Sequence, residues 1–407
     1  MSKSPLSKKL QAESAEAGLS AHVIETIDAV DAAAWDAVAN PVPASFDPFV
    51  THRFLKALEN SGSVSTRAGW APRHILIYRG KALVGACPAY LKSHSYGEFV
   101  FDQGWADAYQ RNGLAYYPKL LSAVPVTPVP GRRLLVAPGP DASRVSDALV
   151  AAGIELVEAT GASSFHANFL PEAEADRLQT RGFLRRTGTQ YHWHNKGYVT
   201  FDDFLETLVS RKRKAFRRER RDALANGISI EWLTGKAITE RHWDAMFAFY
   251  MDTGSRKWGS PYLNRKFFSL LGEALADNIL LILCMREGRP IAGALNLFGA
   301  ESLYGRYWGA IEHHPFLHFE TCYYQAMDFA IARGLKRVEA GAGGEHKLVR
   351  GYLPVVTHSA HYIAHEGFRQ AIRNYLDRER EAVTQQNEEL AGYAPFRRGE
   401  APEEADI

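Results

Sequence analysis

Cysteine is scarce: the 407 residues hold three, Cys87, Cys284 and Cys322, far apart and odd in number. That argues against a disulfide framework and fits reduced thiols in a cytosol-like compartment. No run approaches the roughly 18 apolar residues that a spanning helix needs, so no transmembrane segment is expected. The stretch Met1 to Leu19 has lysines but no apolar h-region, and does not read as a secretory signal. Net charge is close to balance at +2, which removes any global electrostatic argument for nucleic acid or membrane. An amphipathic contact with a membrane surface stays open. What remains is an ordinary globular composition, 46% hydrophobic and 23% charged. The length is large for one core and suits two domains of about 170 to 200 residues.

The chain repeats itself at an offset of about 208 residues. Trp35-Asp36-Ala37 returns as Trp243-Asp244-Ala245, Gly80…Gly85-Ala86 as Gly288…Gly293-Ala294, and Tyr96-Gly97 as Tyr304-Gly305. Between these, Pro48-Phe49-Val50-Thr51 answers Pro261-Tyr262-Leu263-Asn264, and further on Gly182-Phe183-Leu184 answers Gly351-Tyr352-Leu353. A collinear series with loop-sized indels marks an internal duplication of one α/β unit, and a cleft between such copies is a usual ligand site.

Within the second copy, Ile279 to Arg286 and Ile291 to Phe298 flank a Gly turn and read as a β-hairpin. Ser302 to Gly309 reads as a third strand, Phe319 to Arg333 as a helix closed by Gly334, and Leu335 to Ala340 and Thr357 to Ala364 as further strands. The first copy repeats this order, with Glu98 to Phe101 as its third strand. Two helices precede each hairpin, one carrying Trp-Asp-Ala and one opened by Thr51 or Asn264 as N-cap. Helix, helix, hairpin, strand, helix, strand, strand is the order of the acyl-CoA N-acyltransferase (GNAT) fold. The segments Tyr90 to Asp102, Gly104 to Tyr109, Arg211 to Lys214, Tyr304 to Gly309, His314 to Glu320 and Gly344 to Leu348 with Arg350-Gly351-Tyr352 resemble the bacterial FemAB-like N-acyltransferases. Gln103 and Gly343 depart from the His and Gln expected there. The resemblance covers about residues 20 to 398 and implies an α/β fold of two tandem GNAT-like domains. The expected division is a disordered 1–20, domain 1 at 21–197, domain 2 at 198–390 with a basic helix at 210–224, and a disordered tail at 391–407.

N-acyl transfer needs an anion site for the carrier's phosphates, donors for the oxyanion and a base for the attacking ammonium. The segment Glu312 to Glu320 lacks the Arg-x-x-Gly-x-Gly phosphate loop of ordinary GNATs, and a glutamate stands at the helix start, where it would repel phosphate. The richest motif is Gly341 to Tyr352, whose counterpart in the first copy has no Gly, His or Lys. Glu345 or His346 is the expected base, with Tyr352 also a catalytic candidate. Lys347 and Arg350 are candidate anion ligands, joined by Arg306 as cofactor-binding residues. Tyr307, His314, His318 and Glu320 are candidate substrate contacts, as are His94, Tyr96, Asp102 and Trp105 of the first copy. The clustered histidines lack compact zinc spacing, so no metal is expected. His192 and His361 read as packed strand residues, and Cys322 as a buried, inert thiol.

Ser210 to Arg221 carries eight basic residues of twelve. Nucleic acid, an anionic membrane, an acidic acyl carrier protein, coenzyme phosphates and a solvated connector are its readings; carrier or phosphate contact is preferred, and nucleic acid is disfavoured. The expected activity is transfer of an acyl group from acyl-CoA or acyl carrier protein, with no tightly bound cofactor, to a primary amine. That amine would belong to an envelope precursor or a lipid, at the cytoplasmic side or on the inner membrane face. The rivals are Fem-type aminoacyl transfer from charged tRNA, and a non-catalytic glycan or lipid recognition protein.

Overall fold

The computed structural model describes residues 18–256, 261–397 and 399–400, apart from the side chains of Ser255, Arg256 and Glu345. It contains two compact units. Unit 1 comprises the residues up to Pro43, Phe49–Gly188 and Thr357–Thr384; unit 2 comprises Ala44–Pro48, Thr189–Val356 and the residues from Gln385 onward. The units are therefore not two consecutive halves. Residues 357–384, read as second-copy sequence, count with unit 1, and residues 189–197 count with unit 2.

Unit 1 uses strands β1 (Leu19–Ile24), β2 (Trp70–Pro72), β3 (His74–Arg79), β4 (Ala82–Cys87), β5 (Tyr90–Lys92), β6 (Lys119–Ser122), β7 (Leu135–Val136) and β8 (Ser164–Leu170). The expected hairpin is present, with Ile75 opposite Cys87. Thr51 caps its helix by accepting from the Phe54 amide, and Gly161 ends the helix Ala142–Thr160 in the left-handed region at φ 66°. Glu98 to Phe101 is not a strand. The third-strand position belongs to β6, antiparallel to β5 and parallel to β8. Within that stretch Phe101 is 70% exposed and the charged Glu98 is buried, the inverse of an apolar-inward strand. Burial of Lys119 explains the inversion: its ammonium donates to Glu98 Oε2 at 2.7 Å and to Asp102, and this holds the loop over it.

The β6–β8 ladder stops at Ser122 and Ala167. Beyond it the gap is closed by the chain itself. Gly131 donates to the Phe169 carbonyl at 2.9 Å, and the fully buried Arg133 donates from Nε to the Asn168 carbonyl at 3.0 Å. Val124, Val126 and Val129 are buried alongside.

Unit 2 holds strand residues of β9 (Leu184–His194), then β10 (Ile228–Leu233), β11 (Ile279–Arg286), β12 (Arg289–Phe298), β13 (Ser302–Ala310) and β14 (Arg337–Glu339). The last strand, β15 (Leu353–Ile363), pairs with β8 in unit 1 from His358 onward. In unit 2 the strand order is β10-β11-β12-β13-β14-β9, with the second hairpin pairing Leu281 with Leu295. Asn264 caps its helix by accepting from the Phe267 amide at 3.1 Å. The helix Glu240–Arg256 lies against β13, where Gly309 is required: a Cβ there would stand 2.0 Å from the Phe249 carbonyl oxygen.

β13 and β14 run parallel for only three pairs, Ser302–Arg337 to Tyr304–Glu339, and then part. Among the described residues β13 continues to Ala310 paired with β12 alone, and the register shifts opposite Arg306. Unlike its counterpart in unit 1, this gap is open. Of the expected disordered ends, residues 1–17, 398 and 401–407 lie outside the described residues, while the chain is in β1 from Leu19. Residues from 391 to 397 pack on unit 2: Phe396 sits against Phe204, and Arg397 pairs with Glu206 at 3.0 Å. Among the described residues no helix is long and apolar enough to cross a membrane.

Candidate active site

Where β13 and β14 part, a cavity of about 340 Å³ opens in unit 2. Its walls include Arg306, Tyr307, His318, Cys322, Tyr323 and Lys347. A second cavity of about 510 Å³ follows the loop from Ile311 to Phe319 and shares Trp308 and His318 with the first. Two backbone irregularities shape the shared wall. Phe316 adopts φ 61°, a left-handed conformation that costs a bulky residue about 1–3 kcal/mol. The helix that follows begins with a π-turn, Glu320–Tyr324, a distortion often found at functional sites. Across that turn Cys322 and Tyr323 line the cavity, while Glu320 and Tyr324 engage the basic helix.

The turn after β14 needs its glycines. Gly341, Gly343 and Gly344 all have positive φ, from 70° to 97°. A short helix from Glu345 to Leu348 follows and sets His346 with Nε2 3.0 Å from Tyr323 Oη. Tyr323 is 4% exposed, and burial raises its phenol well above the ordinary range, so it keeps its proton beside the imidazole. His318 lies edge-on to Tyr323 and 5.3 Å, ring to ring, from Trp308. The side chain of Glu345 lies outside the described residues.

Several expected roles change. Tyr352 is fully buried with its hydroxyl directed to the Tyr323 carbonyl, so it cannot touch a substrate. Lys347 reaches the cavity wall but gives its ammonium protons to the carbonyls of Ala340, Gly341 and Ala342, bracing the turn. Arg350 stacks at 3.4 Å over Phe319 and donates to Glu219, Tyr324 Oη and the His346 carbonyl. Neither is arranged as a phosphate ligand. Glu320 is buried, raised by desolvation against the pull of Arg220, and lines neither cavity. Arg306 and Tyr307 do line the first cavity, and His314 the second, where it meets Glu312 at 2.9 Å.

The basic helix, Ser210–Ala223, is divided by orientation. Arg220 pairs with Glu320 at 3.0 Å and with Asp328, Glu219 holds Arg350 at 2.7 Å, and Arg213 donates to the Leu208 carbonyl. Arg211, Lys214 and Arg218 are exposed on the outer face.

In unit 1, Asp102 is buried against Lys119 and Tyr116; burial would raise it, and the Lys119 ammonium instead holds it at about 2. Trp105 packs edge-on to His361, His94 bonds the Ala68 carbonyl, and Tyr96 is 69% exposed. His192 and His361, at matching places in the repeat, are buried strand residues as expected. Cys322 is half-buried on the cavity wall rather than enclosed. Tyr323 and Asn296, which also lines the first cavity, were missed. Asn296, an amide inside the aliphatic run of β12, was a legible signal; Tyr323 sits in an aromatic helical run that reads only as core. Among the described residues no three His, Cys, Asp or Glu side chains converge as a metal site would need.

A sequence model of the FemAB-like family, described as peptidoglycan biosynthesis/recognition, matches residues 26–398. The chain belongs to this family. No curated protein matches it in sequence. Among solved structures this FemAB-like chain resembles FemX at a TM-score of 0.53 and 14% identity, over 84% of this chain and 98% of that one. The C-terminal domain of a candidate lysylphosphatidylglycerol synthetase from Agrobacterium fabrum aligns at 0.53 and 7% identity, over 84% and 96%. A tandem GNAT protein from the clavulanic acid biosynthesis pathway aligns at 0.46 and 12% identity, over 85% and 99%. The FemAB-like fold here is a duplicated GNAT-like α/β unit.

Proposed function

We propose that this FemAB-like protein is an N-acyltransferase whose chemistry is done in unit 2. The observation that carries the reading is the parting of β13 from β14 into an open cavity lined by Arg306, Tyr323 and His318, set against the plugged gap of unit 1. An acyl thioester lies in the parted strands, and a primary amine, its ammonium proton first released to solvent, attacks the thioester carbonyl carbon. The amine proton passes to Tyr323 Oη as the phenolic proton passes to His346 Nε2, so that the phenol acts as a relay and is never left ionised. Collapse of the tetrahedral intermediate breaks the C–S bond, and the thiolate takes the proton back from the imidazolium. Arg306, charged on the cavity wall, favours the developing oxyanion. The donor is an acyl-CoA or acyl carrier protein thioester, the acceptor an amine of an envelope precursor or lipid, and the setting cytoplasmic.

The test incubates purified full-length protein with acyl-CoA, with acyl carrier protein thioester and with aminoacyl-tRNA, each with mixed amine acceptors, and follows amide formation by mass spectrometry. Amide formed from a thioester supports the reading. Transfer from aminoacyl-tRNA alone would replace it by the Fem-type reaction.

A further inference from the structure

We infer that the second cavity of unit 2 is the acceptor site and that it takes a primary ammonium carrying an extended apolar body. This rests on the acyltransferase reading and adds the acceptor's chemical class. The cavity volume, about 510 Å³, lies in the range of small-molecule sites and exceeds what a bare ammonium group would fill. Its apolar walls come from Trp308, Ile311, Phe316, Leu317 and Phe319, and Ile311 is 60% exposed. Its charged walls are carboxylates, Asp252 and Glu312, beside the imidazoles of His313, His314 and His318. Among the described residues no lysine or arginine lines it. The nearby Arg286 is already bonded to Glu312 at 2.9 Å.

Aromatic faces with carboxylates attract an ammonium and repel a phosphate. The first cavity differs: Arg306 is in its wall, while the Lys347 ammonium there is spent on the carbonyls of Ala340, Gly341 and Ala342. The two cavities meet at Trp308 and His318, which places a cationic acceptor on one side of that neck and an anionic donor on the other. A coenzyme pyrophosphate at the loop Glu312–Leu317 would face the Glu312 carboxylate. The left-handed Phe316 holds an aromatic ring in this wall at a conformational cost that a mere connecting loop would not need.

The test is calorimetric binding of octylammonium, octanol and octanoate to the full-length protein, with a butyl-to-octyl ammonium series. Octylammonium should bind at least tenfold more tightly than either octyl partner, and affinity should rise about fourfold per methylene. Glu312→Gln should reduce the ammonium preference tenfold or more, and Asp252→Asn serves as the second variant if the first fails to fold. Trp308→Ala should weaken every octyl compound. Equal binding of octanol or octanoate, or a gain that ends at butylammonium, overturns the proposal. Binding as described without amide formation from any thioester would instead strike the acyltransferase reading and leave the amine site standing.

Discussion

Replacing Glu219 by alanine is the most informative perturbation of the basic helix. Its Oε2 accepts from Arg350 Nη2 at 2.7 Å and from the Tyr324 hydroxyl, with side-chain exposures of 15% for Glu219 and 6% for Arg350. Breaking one side of a buried pair costs about 3–5 kcal/mol, because the partner's charge is left uncompensated. Glu219 is not fully enclosed, and Arg350 keeps its bonds to Tyr324 and the His346 carbonyl, so the lower end applies. Loss of the tyrosine's acceptor adds about 1 kcal/mol. The expected destabilisation of unit 2 is therefore about 4 kcal/mol. Arg218→Ala, one residue earlier on the exposed face, should cost under about 0.5 kcal/mol. Urea unfolding followed by hydrogen exchange at unit 2 amides measures both. A loss below about 1 kcal/mol for Glu219→Ala, or equal losses for the two variants, would refute the view that the inner face of this helix braces the site. Because Arg350 also holds the His346 carbonyl, Glu219→Ala should lower turnover as well, by roughly tenfold.

Further outcomes are expected elsewhere. His346→Ala should lower turnover by about 10²–10⁴-fold with the fold intact, and Tyr323→Phe should lose a comparable share if the phenol relays the proton; near-normal kcat in both would remove the relay. Gly309→Ala should destabilise unit 2 by several kcal/mol, since its methyl would enter the Phe249 carbonyl, whereas Gly288→Ala meets no atom within 4 Å and is strained only by its φ of 73°. In unit 1, His166 Nδ1 lies 2.6 Å from His361 Nδ1, so one ring donates and the other accepts. Burial drives His166 down to about 3 and His361 well below its ordinary value. The unfolded chain then binds protons below about 6.5 that the native state refuses, so this stability is complete above 6.5 and is lost as pH falls toward 3. Wild type should lose up to about 1.4 kcal/mol per pH unit more than His166→Asn across that window, as read from urea midpoints; parallel profiles would contradict the assignment.

Much of the fold was legible because its signals are local. The caps at Thr51 and Asn264, the two hairpins and the basic helix follow from side-chain type and spacing over fewer than twenty residues. The repeat at an offset of about 208 residues gave the duplication, and the richer turn at Gly341–Tyr352 directed attention to the copy whose strands part. The candidate site was only half visible. His346, Tyr307, Arg306 and His318 fall in or beside the cavities, but Tyr323 was hidden among aromatic residues whose helical spacing looks like core.

The sequence by itself determined that two α/β units of GNAT-like order exist, where their helices begin, and that one copy kept acid, imidazole and cations in a glycine turn. Only the tertiary structure decided which of those groups face open space. Lys347 and Arg350 were spent on carbonyls and on Glu219, and Tyr352 was buried beneath Tyr323. Lys119 drew Glu98 into the interior and gave the third strand of unit 1 to residues 119–122. Arg133 and Gly131 closed one pair of parted strands while the other stayed open. Each outcome depends on hydrogen bonds and ion pairs between residues far apart in the chain. Local periodicity says which face of an element is apolar, but not which distant donor will meet a given acceptor.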